Sequence, residues 1–412
     1  MKVMLIVAYL ARFAAAYQLR YLNLRHLRRH GAFVPEGFAG AIDAESLAKS
    51  ARYTVEQSRV SLIRSVYDSA LLLAFLFTPL LPRYDSWIGS LSGSFVIQGV
   101  LFMLLLTLAQ DILELPFSLY STFRIEKRYG FNMTTPKLWI SDLFKSTSLS
   151  TLLLVVLCSA ALQLVERAPD LWWLWIWCFF AVFSVTMIYL SPYLIEPLFS
   201  RFDPLDDQLL EEEIRLMLAK AGLQVNGVMK MDASRRTLHS NAYFTGIGRV
   251  KRIVLFDTLI KQMERPELLA ILAHEAGHWK NGHIWKRLVA TEVGALAVIY
   301  GVYLLTQWGG VPGLFGLAQG SFAAQMVMVS FLISIVFFPF TPLASWLSRR
   351  HEWEADRFAA KLSGAPEALA SALVKLSRQN LANLHPHPVY ALFYYSHPPV
   401  VERVARLREG TA

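Results

Sequence analysis

Long apolar runs separated by charged clusters divide this chain. Runs at 63–82, 95–118, 148–165, 171–197, 288–306 and 323–347 are each long enough to cross roughly 30 Å of hydrocarbon. A shorter run at 3–17, carrying Arg12, precedes them. We read it as an uncleaved first span. Ala14, Ala15 and Ala16 would suit a cleaved leader, but cleavage would leave Arg20, Arg25, Arg28 and Arg29 outside, against the positive-inside tendency. Seven spans with an outside N-terminus then put 18–62, 119–147, 198–287 and 348–412 on the cytoplasmic side. The outside loops keep only Arg83 and Arg167 as basic residues.

The expected fold is therefore mostly α, a polytopic membrane protein. It is expected in four parts: an N-terminal membrane region (1–197, five spans), a cytoplasmic α+β part (198–287), spans six and seven (288–347), and a C-terminal part (348–412). A helix is expected from 44 to 62, with no readable function. In the cytoplasmic part, Asp203 and Pro204 before 205–221 and Gly222 after it predict a helix. Runs at 227–232, 240–246 and 250–257 predict a small sheet. Asn241, Ala242 and Tyr243 are the candidate sheet edge onto which an extended peptide could add, or else an ordinary structural strand. Gln110, Asp111 and Glu114 in the third span and Glu292 in the sixth are ionisable or polar groups at membrane depth. Such groups usually face protein or water. Asp111 and Glu114 share a face and either line a wet cavity, pair with a basic residue or sit at the interface.

Composition agrees with a membrane protein: 55% of the residues are hydrophobic and the mean hydropathy is +0.39. The net charge of +9 does not indicate nucleic acid, because the basic residues flank apolar segments and suit anionic lipid and topology. Cys158 and Cys178 both lie in apolar runs, so any metal must be held by histidine and carboxylate.

The candidate chemistry begins at His274-Glu275-Ala276-Gly277-His278. Residues four apart share a helix face, so both histidines can hold one metal ion, and Glu275 beside it can take a proton from water. Pro266 and Glu267 mark the helix start and Gly282 its end. His283 is read as a helix-end residue or one that supports a ligand, not as a ligand itself: five positions on, a continuing helix has turned off the ligand face. The third ligand is expected downstream at Glu352, with Asp356 one turn later able to orient a ligand histidine through its free ring N–H, while Glu354 points elsewhere. Two histidines and one glutamate leave a coordination position open, the mark of a catalytic zinc site. His397, before Pro398 and Pro399, can donate to a developing oxyanion.

These motifs resemble those of the type I CAAX prenyl proteases, integral-membrane zinc metalloproteases. The resemblance also runs through Tyr120-x-Thr122-Phe123 with Gly130-Phe131-Asn132, Ile195-x-Pro197-Leu198-Phe199, Ser240 to Phe244, Arg252 to Leu259, Trp279-Lys280-x-Gly282-His283, Ser348 to Asp356 and Ser396-His397-Pro398-Pro399. It implies seven helices around a water-filled chamber capped by one zinc ion per chain on the cytoplasmic side. His274, His278 and Glu352 would be its ligands, Glu275 the base, Asp356 an orienting partner and His397 a transition-state donor. Asn241, Ala242 and Tyr243 would receive the peptide, and Arg403 would meet a substrate carboxylate. The expected partners are the lipid bilayer and a peptide or protein substrate, either a prenylated CAAX protein or another membrane-associated peptide. No oligomer is implied. A bacterial inner membrane is the expected address, from the C-terminal end Arg408 to Ala412 without a dilysine-type tail. The alternatives are a quality-control membrane metalloprotease and a catalytically silent chamber or transport protein.

Overall fold

A computed structural model describes residues 1–245 and 250–410. Gly246 of the expected 240–246 strand, and Thr411 and Ala412 of the C-terminal end, lie outside them. The first span is α1 (Lys2–His30), whose last turn carries Arg28, Arg29 and His30 at the negative end of the helix dipole. The expected cytoplasmic helix and the second span prove to be one helix, α2 (Ala44–Phe77). No glycine or proline interrupts it, and the Asp43 side chain caps its start by accepting from Ser46 N at 2.7 Å. It stops at Phe77 rather than at 82. Thr78, ahead of Pro79, is extended, as a residue before proline prefers. The short α3 (Leu80–Leu91) follows. Then come α4 (Phe95–Tyr120), α5 (Pro136–Arg167, capped by Thr135) and α6 (Trp172–Leu194). Of the carboxylates in α4, Glu114 pairs with Arg64 of α2 at 2.7 Å.

The last expected span is also broken. Helices covering Phe322–Val336 and Thr341–Ser363 meet at a 45° bend. Pro339 falls in the break, where its missing N–H and its ring end the first helix. Counting that bent pair as one span, seven helical segments among the described residues are long and apolar enough to cross a membrane. They do not form a packed bundle. The apolar windows of the fifth span, which contains α6, and of the sixth, His283–Trp308, have none of their residues buried. These two helices touch along one side, where Trp177 Nε1 donates to the Glu292 carbonyl oxygen at 2.9 Å and Trp173 meets Tyr300, and their other sides are open, as in a wall one helix thick around a hollow interior. The wall is closed at one end by an apolar cluster: Tyr9, Leu76, Leu81, Ile88, Phe102, Val311, Phe315 and Met328 pack together. This cluster gathers the start of α1, the end of α2, α3 and the 311–315 turn, the segments expected on one side.

At the other end is a four-stranded sheet in the order β1 (Phe202–Pro204), β2 (Gln224–Met231), β4 (Val250–Phe256), β3 (Ala242–Thr245). β2 and β4 run parallel, and β3 pairs antiparallel with β4 in the register Ala242↔Leu255, Tyr243↔Val254 and Phe244↔Ile253. β3 is therefore a sheet edge. Besides a few turns of at most six residues, the helices that follow are α7 (Gln208–Lys220), α8 (Arg265–Lys280), α9 (His283–Trp308), α10 (Phe322–Val336), α11 (Thr341–Ser363), α12 (Pro366–Gln379), α13 (Pro388–Tyr394) and α14 (Val400–Glu409). The main core joins α7, the sheet, α8, α12 and α14. It also takes Phe38, Ile42 and Leu47 from the N-terminal half.

Candidate metal centre

Helix α8 is set firmly before it reaches the site. Glu264 and Glu267 form a capping box, and Pro266 sits in the first turn, as the sequence suggests. Lys375 Nζ (2.8 Å) and Ser371 Oγ (2.7 Å) from α12 both donate to Glu267. Downstream, α8 crosses α11 where Gly277 lacks a side chain. A Cβ there would lie 2.9 Å from Ala355 Cα and 3.1 Å from its carbonyl oxygen. This close approach lets Glu352, one turn before Ala355, face both histidines.

His274 Nε2 and His278 Nε2 are 3.2 Å apart. Glu352 Oε2 is 3.4 Å from the first and Oε1 is 3.3 Å from the second. The three residues can each turn one donor atom to a common point. The outward ring nitrogens are already used. His274 Nδ1 is 2.8 Å from Asp356 Oδ1, and His278 Nδ1 is 3.0 Å from His283 Nδ1. With Nδ1–H spent outward, two Nε2 lone pairs and a carboxylate face one another. Such acceptors repel unless a cation lies between them. Asp356 and Glu352 express the same demand for positive charge: burial pulls His274 down, yet these two carboxylates outweigh it and push its pKa up to about 9. An N₂O donor set with an open side suits a catalytic zinc ion.

Glu275 stands apart from this donor set. Burial raises its carboxyl above the ordinary range, against the pull of His274 and His278, which moves it toward the range useful to a general base. It lines a cleft of about 240 Å³ with Tyr243, Phe244, His278, Trp279, Glu352 and His397. His397 is largely exposed at the cleft, with Nδ1 2.8 Å from Glu352 Oε2. Tyr243 lines it too, and its hydroxyl donates to Glu196 Oε2 at 2.8 Å. Ala242 is buried in β3, and Asn241 just before it accepts from Phe256 N through its carbonyl oxygen at 3.1 Å.

Arg403 does not sit where a substrate carboxylate would meet it. It is only 8% exposed, and its Nε and Nη2 donate to Asp356 at 2.8 and 2.6 Å. The expectation is corrected by burial: Arg403 backs Asp356, which backs His274. Glu354, expected to point elsewhere, accepts from His283 Nε2 at 3.0 Å. A continuous helix would have carried His283 away from the site, but α8 ends at Lys280 and Gly282 turns left-handed at φ 65°. That turn swings His283 back beneath His278. The glycine was the available sequence signal; nothing in spacing announced Arg403 or Glu354.

Gly277→Ala gains about 1 kcal/mol in helix propensity. It forces a clash with backbone that no rotamer relieves, an overpacking cost of typically about 1–3 kcal/mol. The clash should win, moving α8 off α11 and separating the histidines from Glu352. Elemental analysis of purified protein should show lost metal, with a lowered melting temperature.

Hollow spans, an edge strand beside a cleft and a His-His-Glu cluster with a free carboxylate define a membrane-embedded metallopeptidase. A family model described as "Peptidase family M48" matches residues 204–411, and one described as "CAAX prenyl protease N-terminal, five membrane helices" matches 23–201. The chain belongs to the M48 peptidase family. It is 34% identical to "CAAX prenyl protease 1 homolog" of Arabidopsis thaliana over 93% of this chain and 92% of that one. It is 32% identical to "CAAX prenyl protease 1" of Saccharomyces cerevisiae over 91% and 88%. The crystal structure of S. mikatae Ste24p superposes with a TM-score of 0.92 at 28% identity, covering 98% of each chain.

Proposed function

We propose that the chain is a zinc endopeptidase that cleaves near the C-terminus of prenylated CAAX-type or other membrane-associated peptides. The observation carrying this reading is the convergence of His274, His278 and Glu352 beside the half-buried Glu275, in a cleft bordered by the β3 edge. His274 Nε2, His278 Nε2 and Glu352 would hold one zinc ion per chain, which would supply Lewis acidity toward the scissile carbonyl and make a water at the site acidic, with a pKa of about 7. The peptide adds to β3 at Asn241, Ala242 and Tyr243. Glu275 takes a proton from the attacking water and delivers it to the leaving amine nitrogen. His397 donates from its ring to the developing oxyanion, a kind of contact worth about 2.7–4 kcal/mol where it has been removed in enzymes. Asp356 and His283 hold the ligand rings in one tautomer, and Arg403 positions Asp356.

The relatives' names, CAAX prenyl proteases, support the prenylated class of substrate. The paucity of basic residues in the loops opposite the metal supports a cytoplasmic active site. A farnesylated CAAX peptide incubated with detergent-purified protein should lose its C-terminal residues, and a zinc chelator should abolish the cleavage. Mass spectrometry reads both. Intact peptide in the chelator-free arm would remove the CAAX client, and cleavage unaffected by chelator would remove the metal.

A further inference from the structure

The joint between the spans and the sheet holds a polar cluster that the metal chemistry does not use. After α4 the chain continues as a π-helical segment, Ser121–Glu126, a form found mostly as short insertions and frequently at functional sites. Its last residue, Glu126, gathers three partners. Tyr53 Oη donates to Oε1 at 2.8 Å, Gln57 Nε2 donates to the same oxygen at 3.0 Å, and His239 Nε2 lies 3.4 Å from Oε2. The other nitrogen of His239 is 3.0 Å from Asn380 Oδ1, just past the end of α12, and the ring stacks on Phe131 at 4.0 Å. Both ring nitrogens thus face acceptors, the arrangement of an imidazolium.

The neighbouring backbone is tied to the same membrane-side loop. Leu238 N donates to Phe131 O at 3.1 Å, and Met133 N donates to Arg236 O at 3.0 Å. Arg236 grips Asp142 of α5 with two hydrogen bonds of 2.8 and 3.0 Å. Only Ser240 and Asn241 separate His239 from β3, which among the described residues has a single neighbouring strand. The register of the free edge is therefore anchored upstream by groups belonging to the chamber wall.

We propose that His239 and Glu126 are positioning residues: their contact clamps the start of β3 to the wall and so sets the edge on which the substrate peptide is received. The inference rests on the reading of β3 as the peptide-accepting edge. A clamp remote from Glu275 and the metal ligands should act on substrate affinity and leave turnover alone. It should also be sensitive to pH. The groups facing His239 are Glu126 from the π-helical segment and Asn380 after α12, with Tyr53 and Gln57 of α2 on the far carboxylate oxygen. The hydrogen bond to Glu126 raises the His239 pKa above its usual value, although burial opposes it. A raised histidine keeps its contribution below about 6.5 and loses it as pH rises through the raised value. KM should climb over that interval.

The test uses the detergent-purified full chain and a quenched fluorescent peptide, selected from a mixed library containing prenylated members because the wild type cleaves it. His239→Ala and the more conservative Glu126→Gln should each raise KM about tenfold, with kcat within about twofold and one metal per chain retained, since misplacing a substrate by about 1 Å can cost up to about 10²-fold. In Glu126→Gln the rise of KM with pH should begin at lower pH. Tyr243→Ala, within the edge itself, separates the two readings. A raised KM for Tyr243→Ala with unchanged KM for the other two overturns the clamp and leaves the edge standing. Unchanged KM in all three overturns the edge and the clamp with it. Lost metal or a fallen kcat in both His239→Ala and Glu126→Gln overturns the clamp in favour of a merely structural contact.

Discussion

Glu275→Gln should leave the protein folded and metal-loaded while abolishing most hydrolysis. The substitution keeps the shape and removes the proton acceptor. Glu275 is not among the residues whose donor atoms converge, His274, His278 and Glu352, so metal content should stay at the wild-type level. General-base catalysis by a placed side chain is worth roughly 10²–10⁴-fold, and kcat should fall by an amount in that range. Steady-state cleavage and elemental analysis on one preparation read both quantities. Full activity in the glutamine protein would remove Glu275 as base. The same variant should bind peptide without consuming it, which makes it a trap for identifying clients by proteomics.

The opposite pattern is expected of the ligands. His274→Ala, His278→Ala and Glu352→Ala should each lose the metal, and activity with it. The effect at His274 should extend to stability. Asp356 is fully buried and pairs with both His274 and Arg403, which is itself buried. Removing His274 leaves a buried Asp356 oxygen short of one partner, a cost of about 1–3 kcal/mol, while Arg403 goes on pairing with the carboxylate. Glu352 is as buried as His274 and faces His274, His278, His397 and Arg403, so its alanine variant should lose stability as well. Stoichiometric zinc in all three variants would contradict the assigned ligand set.

The site was legible in the sequence where it depends on local periodicity. His274 and His278 are four apart on one helix, as are Glu352 and Asp356, and the structure brings these two pairs face to face. What could not be read depends on departures from regular helix or on long-range packing. Gly282 reverses the chain and redirects His283. Arg403 reaches Asp356 from a helix whose sequence shows only amphipathic spacing. The π-helical segment that delivers Glu126 has no compositional mark. The spans were legible from hydropathy alone, yet their ends were not. Thr78 before Pro79 and the break at Pro339 shorten two of them, while an uninterrupted run of helix-compatible residues fuses the 44–62 helix to the second span. Phe38 and Ile42 lie in a mixed, moderately polar stretch, and their apolar partners lie in the catalytic half, beyond the reach of local pattern.

The bend between α10 and α11 also bears on how the protein comes into being. His274 and His278 leave the ribosome before α9 and α10, and Glu352 after both, so a complete ligand set requires the last two spans to be threaded through the bilayer and α11 to fold back over α8. His397 and Arg403 follow later still. On the proposed ligand set, a partly inserted chain would carry two of three ligands and no peptidase. The order of synthesis would then withhold proteolytic activity from the nascent chain until membrane insertion is finished.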